Sequence, residues 1–140
     1  MIILDTNVIS ELMKPSPDLA VKDWVARQKA VNLAVSTITI AEIQYGILLL
    51  PQGKRRLRLQ SNFEAFIDGA FLGRIFAFDE ASAYIFGEIA AERKKSGFNT
   101  DSVDLMIAAI AKQNRADIAT RNVKDFVGCG IGVINPWLGG

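Results

Sequence analysis

The chain has 140 residues, half of them hydrophobic, and a formal net charge of +1; this favours one globular domain and excludes nucleic-acid binding through bulk basicity. It has no histidine, which excludes Ser-His-Asp and Cys-His catalysis and histidine-ligated zinc. Its single cysteine, Cys129, forms no internal disulfide, and no stretch resembles a signal peptide or a membrane span, so we expect a cytoplasmic protein with no membrane contact.

The chain opens with an apolar strand and then alternates between helical and strand patterns. Residues 2–5 are predicted as a buried strand, and a brief helix over 8–13 ends before Pro15. Ser16 and Pro17 are predicted as the N-cap and first residue of the second helix. The later elements are a strand over 31–36, helices over 40–50 and 54–71, a strand over 73–78, a helix capped by Asp79 that ends near Lys95, a helix over 102–114, and strands over 117–120 and 132–135.

This alternation predicts one α/β domain over residues 1–140, with a small parallel sheet flanked by helices. In open sheets of that kind, ligands bind beyond the carboxyl ends of the strands. Side chains that follow strands, or that begin the helices after them, are therefore the first candidates for a functional site.

Four carboxylates fall at element ends that face this edge of the sheet. Asp5 follows the first strand, Glu42 and Asp104 each lie one turn into a helix, and Asp125 comes just after the fourth strand. Converging carboxylates repel one another and need a cation. Donor sets of oxygen alone favour Mg²⁺ or Mn²⁺ over zinc, and such sites suit the hydrolysis of phosphate esters.

Each acid also has a purely structural interpretation. Helix caps, first-turn acids and turn residues account for many carboxylates at element ends. The local alternatives are a turn role for Asp5 beside a capping Asn7, a Thr39–Glu42 capping box, a first-turn acid at Asp104 behind an Asp101 cap, and a surface position for Asp125. Four separate explanations are needed if all four are structural, whereas one metal site explains them together.

The stretches "ILDTNVIS", "TITIAEIQYG", "DLMIAAIAKQN", "IATRNVKDF" and "VINPW" resemble, in that order, the PIN-domain ribonucleases, and most of all the VapC and FitB type toxins of toxin–antitoxin pairs. The resemblance covers essentially the whole chain. It implies a PIN fold and a Mg²⁺- or Mn²⁺-dependent endoribonuclease that acts on RNA. It also implies a homodimer and a protein antitoxin that occupies the acidic groove.

The resemblance maps the first three acids of the family onto Asp5, Glu42 and Asp104. Asp5 and Asp104 are expected to bind the metal most directly, and Glu42 to complete the site or to orient a metal-bound water. Some relatives carry an acid where this chain has Asn122, so the fourth position is left open between Asn122 and Asp125.

Supporting roles are expected around these acids. The hydroxyls of Thr6 and Thr120, and the amide of Asn122, are expected to hold acids or water by hydrogen bonds. Arg121 and Lys124 flank the site and are candidates for contacts with the RNA backbone. The basic runs "GKRRLR" and "ERKK" are interpreted mainly as solvated helix faces. Without histidine to promote attack by a 2′-hydroxyl, products with 5′-phosphate and 3′-hydroxyl ends are expected.

Three other functions compete with this interpretation. A receiver domain would need an early acid pair, whereas "LDTN" supplies one acid, and Asp79 is a loose match to its phospho-acceptor. A haloacid-dehalogenase-type phosphatase would need D-x-D-x-T, and Asn7 stands at its second acid. A catalytically degenerate PIN-fold module, which binds RNA or protein only, would be supported by loss of a central acid, but none of the three is missing.

Overall fold

In the computed structural model, which describes residues 1–140, five parallel strands form one sheet in the order β3-β2-β1-β4-β5. The strands are β1 (Ile2–Leu4), β2 (Leu33–Ser36), β3 (Ile75–Phe76), β4 (Asp117–Ala119) and β5 (Val133–Ile134). The helices are α1 (Thr6–Leu12), α2 (Leu19–Arg27), α3 (Thr37–Leu48), α4 (Lys54–Ala70), α5 (Glu80–Lys95) and α6 (Ser102–Gln113). The predicted α/β class, with a parallel sheet flanked by helices, is confirmed.

The sheet separates two hydrophobic clusters because successive side chains of a strand point to opposite faces. Ile3 and Ile118 pack with α5 and α6 on one face. Leu4 and Ala119 face the other cluster, which is built with α1, α2, α3 and α4. Helix α6 is apolar nearly all round and largely buried, as predicted.

Three helix starts differ from prediction, each for a local reason. Helix α1 begins at Thr6 and not at Val8, because the Asp5 carboxylate accepts the Thr6 amide and caps the helix. Helix α2 begins at Leu19 and not at Pro17, because the Asp18 carboxylate caps the amides of Ala20 and Val21. Helix α3 begins at Thr37, directly after β2, because Ser36 is at once the last strand residue and the cap. The capping box predicted for Thr39 and Glu42 is therefore wrong.

The predicted strand over 73–78 shrinks to Ile75–Phe76, since Gly73 turns with a positive φ of 77° just before it. The helices predicted over 54–71 and 102–114, and the cap at Asp79, agree with the structure within a residue or two. None of the helices combines the length and the apolar character that crossing a bilayer requires.

The strand order creates a crevice for ligands beside β1, at the carboxyl edge of the sheet. The chain runs outward from β1 to β2 and β3 on one side, and to β4 and β5 on the other. Such a reversal of direction opens a crevice at the carboxyl ends of the central strands. Ser36 ends β2, Asp5 follows β1 and Thr120 follows β4, so three polar residues meet at this crevice.

Candidate active site

Asp5 is the most firmly held side chain of the crevice. Its amide donates to the carbonyl of Ala119 at 2.9 Å, which extends the β1–β4 ladder to the edge of the sheet. Its Oδ1 caps α1 by accepting the Thr6 amide at 2.8 Å, and its Oδ2 accepts the Thr120 hydroxyl at 2.8 Å. Asp5 itself is the helix cap, so the assignment of that role to Asn7 is wrong. The side chain is only 3% exposed.

Burial disfavours the ionised form of the Asp5 carboxyl group. It raises the pKa of Asp5 above its usual range, against the lowering effect of the hydrogen bonds from Thr120 and Thr6. The charges of Glu42 and Asp125 add to the rise. Asp5 is thus fixed in place while its ionised form lacks a positive partner.

Asp104 lies in the first turn of α6, behind the Asp101 cap. Its side chain is half-buried. Burial, together with like charge, raises the pKa of Asp104 to about 7. The neighbouring acids that contribute, in decreasing order, are Asp5, Asp125, Asp101 and Glu42. The four carboxylates singled out in the sequence therefore share one electrostatic environment.

Glu42 is held by a chain of hydroxyls that begins inside the protein. Its Oε1 accepts the Thr6 hydroxyl at 2.6 Å. Thr6 has only one hydroxyl proton, so Thr39, 3.0 Å away, must donate to Thr6. Ser36 in turn donates to Thr39 at 3.4 Å. With Glu42 ionised, all three hydroxyls point the same way, and Oε2 of Glu42 stays free.

Ser36 and Thr39 were not among the predicted site residues, although both are fully buried. A usable signal was present in the sequence. Ser36, Thr39 and Glu42 are spaced by three residues, and side chains at that spacing lie on one face of a helix. The capping-box interpretation obscured this pattern, because it treated Thr39 and Glu42 as hydrogen-bond partners of the helix start.

Asn7 is a second residue that sequence reasoning undervalued. Its amide nitrogen donates to the hydroxyl oxygen of Thr120 at 3.2 Å and lies 3.4 Å from Oδ2 of Asp5. Its Oδ1 accepts the backbone amide of Arg121 at 3.2 Å. Asn7 thus ties the end of β4 to the end of β1. Thr120 also accepts the Asn122 amide at 3.1 Å, which shapes the following turn.

The residues after β4 take different positions. Asp125, in a short 3₁₀ helix (Val123–Phe126), is half-buried and lies near enough to raise the pKa of both Asp5 and Asp104. The side chains of Asn122 and Lys124 are exposed. The Arg121 guanidinium lies over the ring of Trp137, 5.1 Å from its centroid. Of the two candidates for the fourth position, Asn122 and Asp125, Asp125 lies close to the other acids.

The donors present fit a hard divalent cation. They are oxygens only, and the raised pKa values of Asp5 and Asp104 show a local excess of negative charge that a cation would offset. Oδ1 of Asp5 accepts one hydrogen bond, from the Thr6 amide, and keeps a lone pair, whereas Oδ2 accepts Thr120 and, at 3.4 Å, Asn7. No three of these acids are close enough to enclose an ion by themselves. Mg²⁺ usually keeps several waters and binds one or two carboxylates, so it needs no such cage.

The fold is a parallel sheet flanked by helices, with a cluster of carboxylates at its central crevice. Residues 2–126 match the PIN-domain family, and the chain belongs to that family. The chain is similar to plasmid stability protein StbB of Pseudomonas syringae pv. tomato, with 41% identity over 98% of this chain and 99% of the relative. It is 40% identical to the VapC ribonuclease Y4jK of Sinorhizobium fredii, over 98% of each chain. It is 39% identical to toxin FitB of Neisseria gonorrhoeae, over 98% of this chain and 99% of the relative.

Solved structures agree with these relatives. The crystal structure of FitAcB from Neisseria gonorrhoeae has a chain that superposes with a TM-score of 0.92 at 39% identity, covering 98% of this chain and 99% of that one. VapBC2 from Rickettsia felis, bound to a promoter DNA fragment, gives a TM-score of 0.80 at 27% identity, covering 96% and 98%. The expected resemblance to PIN-domain proteins of the VapC and FitB type is confirmed, which removes the receiver and phosphatase alternatives.

Proposed function

We propose that this chain is an endoribonuclease toxin that depends on Mg²⁺ or Mn²⁺, works as a homodimer in the cytoplasm, and is restrained by a cognate protein antitoxin. One observation carries the enzymatic part. In a PIN-domain chain, Asp5, Glu42 and Asp104 meet at the crevice beside β1, and two of them have raised pKa values. The relatives named VapC ribonuclease and toxin FitB support RNA as the substrate and toxicity as the outcome.

Asp5 and Asp104 are the residues that would hold the cation, because both belong to the cluster of like charge and both have raised pKa values. When bound, that cation supplies Lewis acidity, which makes water a stronger nucleophile and neutralises charge on the scissile phosphate. Thr120 and the Thr6 amide fix the carboxylate of Asp5 in the required orientation. Because this orientation is already present before the reaction, little free energy of reorganisation is needed to reach the transition state.

Glu42 would orient the attacking water and take its proton. Its Oε1 is fixed by Thr6, so the free Oε2 is the atom that accepts the proton. Attack on phosphorus in line with the 3′ oxygen breaks the P–O3′ bond, and the departing oxygen takes a proton from solvent. The products would carry 5′-phosphate and 3′-hydroxyl ends. Asp125 would lend further negative charge at the mouth of the crevice.

The substrate backbone needs cations on the flanks of this acidic crevice, since the chain as a whole is nearly neutral. Arg121 and Lys124 follow β4 directly and are proposed to contact phosphates there. Such contacts position the RNA without reading its sequence.

The partner proposal rests on the solved relatives. FitB occurs in a structure of FitAB bound to an IR36 DNA fragment, and VapBC2 of Rickettsia felis was solved on promoter DNA. We therefore expect an antitoxin for this chain that covers the acidic crevice. Expression with and without the adjacent small gene tests it: growth arrest should appear only without the partner, and equal growth with the protein present would contradict it.

The decisive experiment is RNA cleavage by purified protein in EDTA, followed by addition of Mg²⁺ or Mn²⁺, with mapping of the new 5′ ends. We expect no cleavage in EDTA, recovery with either ion, and loss of cleavage in Asp5→Asn and Asp104→Asn variants that remain folded. Asp68→Asn is the matched control, because Asp68 is an exposed carboxylate on α4 outside the cluster. Full activity of metal-free protein, or normal rates in both site variants, would overturn the proposal.

A further inference from the structure

A cavity of about 400 Å³ lies beside the acidic crevice, between α1, α3 and the start of α4. Thr6 and Glu42, joined by their 2.6 Å hydrogen bond, line both the cavity and the crevice. The volume falls within the range of roughly 300–1,000 Å³ that is usual for sites of small ligands. Whatever fills the cavity would therefore adjoin a group that is bound at Glu42.

The walls of the cavity have two different characters. The inner surface is apolar and buried or half-buried, formed by Met13, Ile43, Ile47, Leu50 and Leu59. Two cations, Lys14 and Arg55, stand on its exposed rim. An apolar wall suits the face of a planar ring, and exposed cations suit a phosphate. A nucleotide presents both groups on one rigid unit.

Arg55 is the cation that is free to bind. The one ion pair of the structure joins Lys14 to Glu11 at 2.9 Å, and Arg55 takes part in none. A guanidinium can also grip a phosphate through two parallel hydrogen bonds, which an ammonium cannot. The basic run "GKRRLR" is thus divided by the helix: Arg55 lines this cavity, whereas Arg56 lines a separate one with Gly53.

A cavity of about 610 Å³ between α2 and α4 does not offer this arrangement, because it shares no residue with the acidic cluster. A base bound there could not belong to a nucleotide next to the cleaved bond.

We propose that the cavity between α1, α3 and α4 binds one unpaired nucleotide of the RNA substrate, adjacent to the scissile phosphate, with its base on the apolar wall and its phosphate on Arg55. This inference rests on the proposed ribonuclease function and adds a specificity site to it. The base must be out of a duplex, because a paired base cannot leave its stack without cost. The cavity would therefore direct the enzyme to single-stranded loops.

One variant tests the cationic rim and another tests the apolar wall, each with a matched control. Arg55→Ala removes the phosphate contact, and Arg56→Ala removes an equal charge one residue away. Gly46→Leu fills the cavity, since Gly46 lines it and has nothing within 4 Å of an added Cβ. Gly87→Leu makes the same change on α5, where an added Cβ also has open space. Replacing helical glycine favours the helix, so neither change is expected to unfold the chain.

The substrates are a single-stranded RNA oligonucleotide with a mapped cleavage site and versions with an abasic residue at each flanking position. We expect Arg55→Ala to raise KM about five- to tenfold with little change in kcat. Gly46→Leu should lower kcat/KM about tenfold on intact RNA. At one flanking position, the abasic substitution should slow the wild type but not Gly46→Leu. Both control variants should keep wild-type kinetics.

Several results would overturn the proposal. Wild-type kinetics in both test variants would do so, as would equal losses in Arg55→Ala and Arg56→Ala, which would indicate a general effect of charge. Unchanged cleavage with weakened antitoxin binding would assign the cavity to the protein partner. A wild type that cleaves no RNA with Mg²⁺ would refute the proposed function instead. In that case, fluorescence anisotropy of the intact and abasic oligonucleotides in EDTA decides separately whether the cavity binds a base.

Discussion

Asp104→Asn should stabilise the metal-free protein at pH 8 and leave its stability nearly unchanged at pH 4. The ionised Asp104 carboxylate is half-buried and faces other acids only, and its pKa is raised from 3.8 to about 7. Asparagine has nearly the same shape without the charge. The charged groups that face Asp104 are Asp5, Asp125, Asp101 and Glu42.

The sign of the pH dependence follows from proton binding. Between about pH 4 and pH 7 the folded chain holds a proton on Asp104 that the unfolded chain has lost. Stability therefore falls as pH rises through this window, and the full penalty is present above it. In the variant this fall is absent, so the difference between variant and wild type should grow from pH 4 and level off above pH 7.

The size of the effect is bounded by the structure. A rise in the pKa of Asp104 from 3.8 to about 7 corresponds to about 4 kcal/mol if none of the effect is screened. Because the side chain is only half-buried, solvent screening leaves about 1–2 kcal/mol. The α6 N-terminus favours the charge by about 0.3–1 kcal/mol, which reduces the gain without reversing it. The melting temperature should rise by about 2–6 °C at pH 8.

The assay is urea unfolding in EDTA at pH 4, 6 and 8, with Asp68→Asn as control. The control should change stability by no more than about 0.5 kcal/mol at each pH. Adding Mg²⁺ at pH 8 should stabilise the wild type more than Asp104→Asn, because an ion that binds the folded state stabilises it. A variant less stable than wild type at pH 8, or an equal difference at pH 4 and pH 8, would refute the reasoning.

Two further predictions concern residues around the acids. Thr39→Val removes the hydroxyl that donates to Thr6 and should cost about 1–3 kcal/mol of stability and lower kcat. Thr39→Ser should retain kcat and lose only about 1 kcal/mol, because it deletes a buried methyl group. Equal kinetics in the two variants would mean that the hydroxyl does not position Glu42. Asp125→Asn should lower cleavage less than Asp5→Asn and raise the Mg²⁺ concentration needed, and Asn122→Asp should keep activity and tighten metal binding. Superimposable Mg²⁺ titrations of wild type, Asp125→Asn and Asn122→Asp would show that neither residue acts on the metal.

The sequence allowed the meeting of the acids to be predicted because it depends on topology more than on detail. Parallel strands end at one edge, so a residue after β1 and residues at the starts of α3 and α6 had to approach one another. Errors of two or three residues in helix starts, as at Leu19 and Thr37, did not disturb this conclusion. The PIN class was predicted from the resemblance of the motifs and not from the alternation of elements. The strand order β3-β2-β1-β4-β5 was not predicted, because that alternation is compatible with several orders.

The hydrogen bonds between elements could not be predicted in the same way. Asn7 reaches a hydroxyl and an amide more than 100 positions away in the chain, at Thr120 and Arg121. Nothing local in "LDTN" indicates those partners. The position of Asp125 also depends on how tightly the turn after Thr120 folds back, which follows from packing of Phe126 into the core and not from the turn residues themselves.

Structural roles and the proposed functional roles fall on the same residues. Asp5 caps α1 with Oδ1, and the same bond fixes the orientation of a carboxylate that remains able to bind a cation. Ser36 caps α3 and also begins the hydroxyl chain that ends on Glu42. A helix cap needs a fixed acceptor at an element end, and a metal ligand or a proton acceptor needs a fixed oxygen at the same edge of the sheet. Because one rigid side chain satisfies both requirements, a convincing cap does not count against the proposed catalytic role.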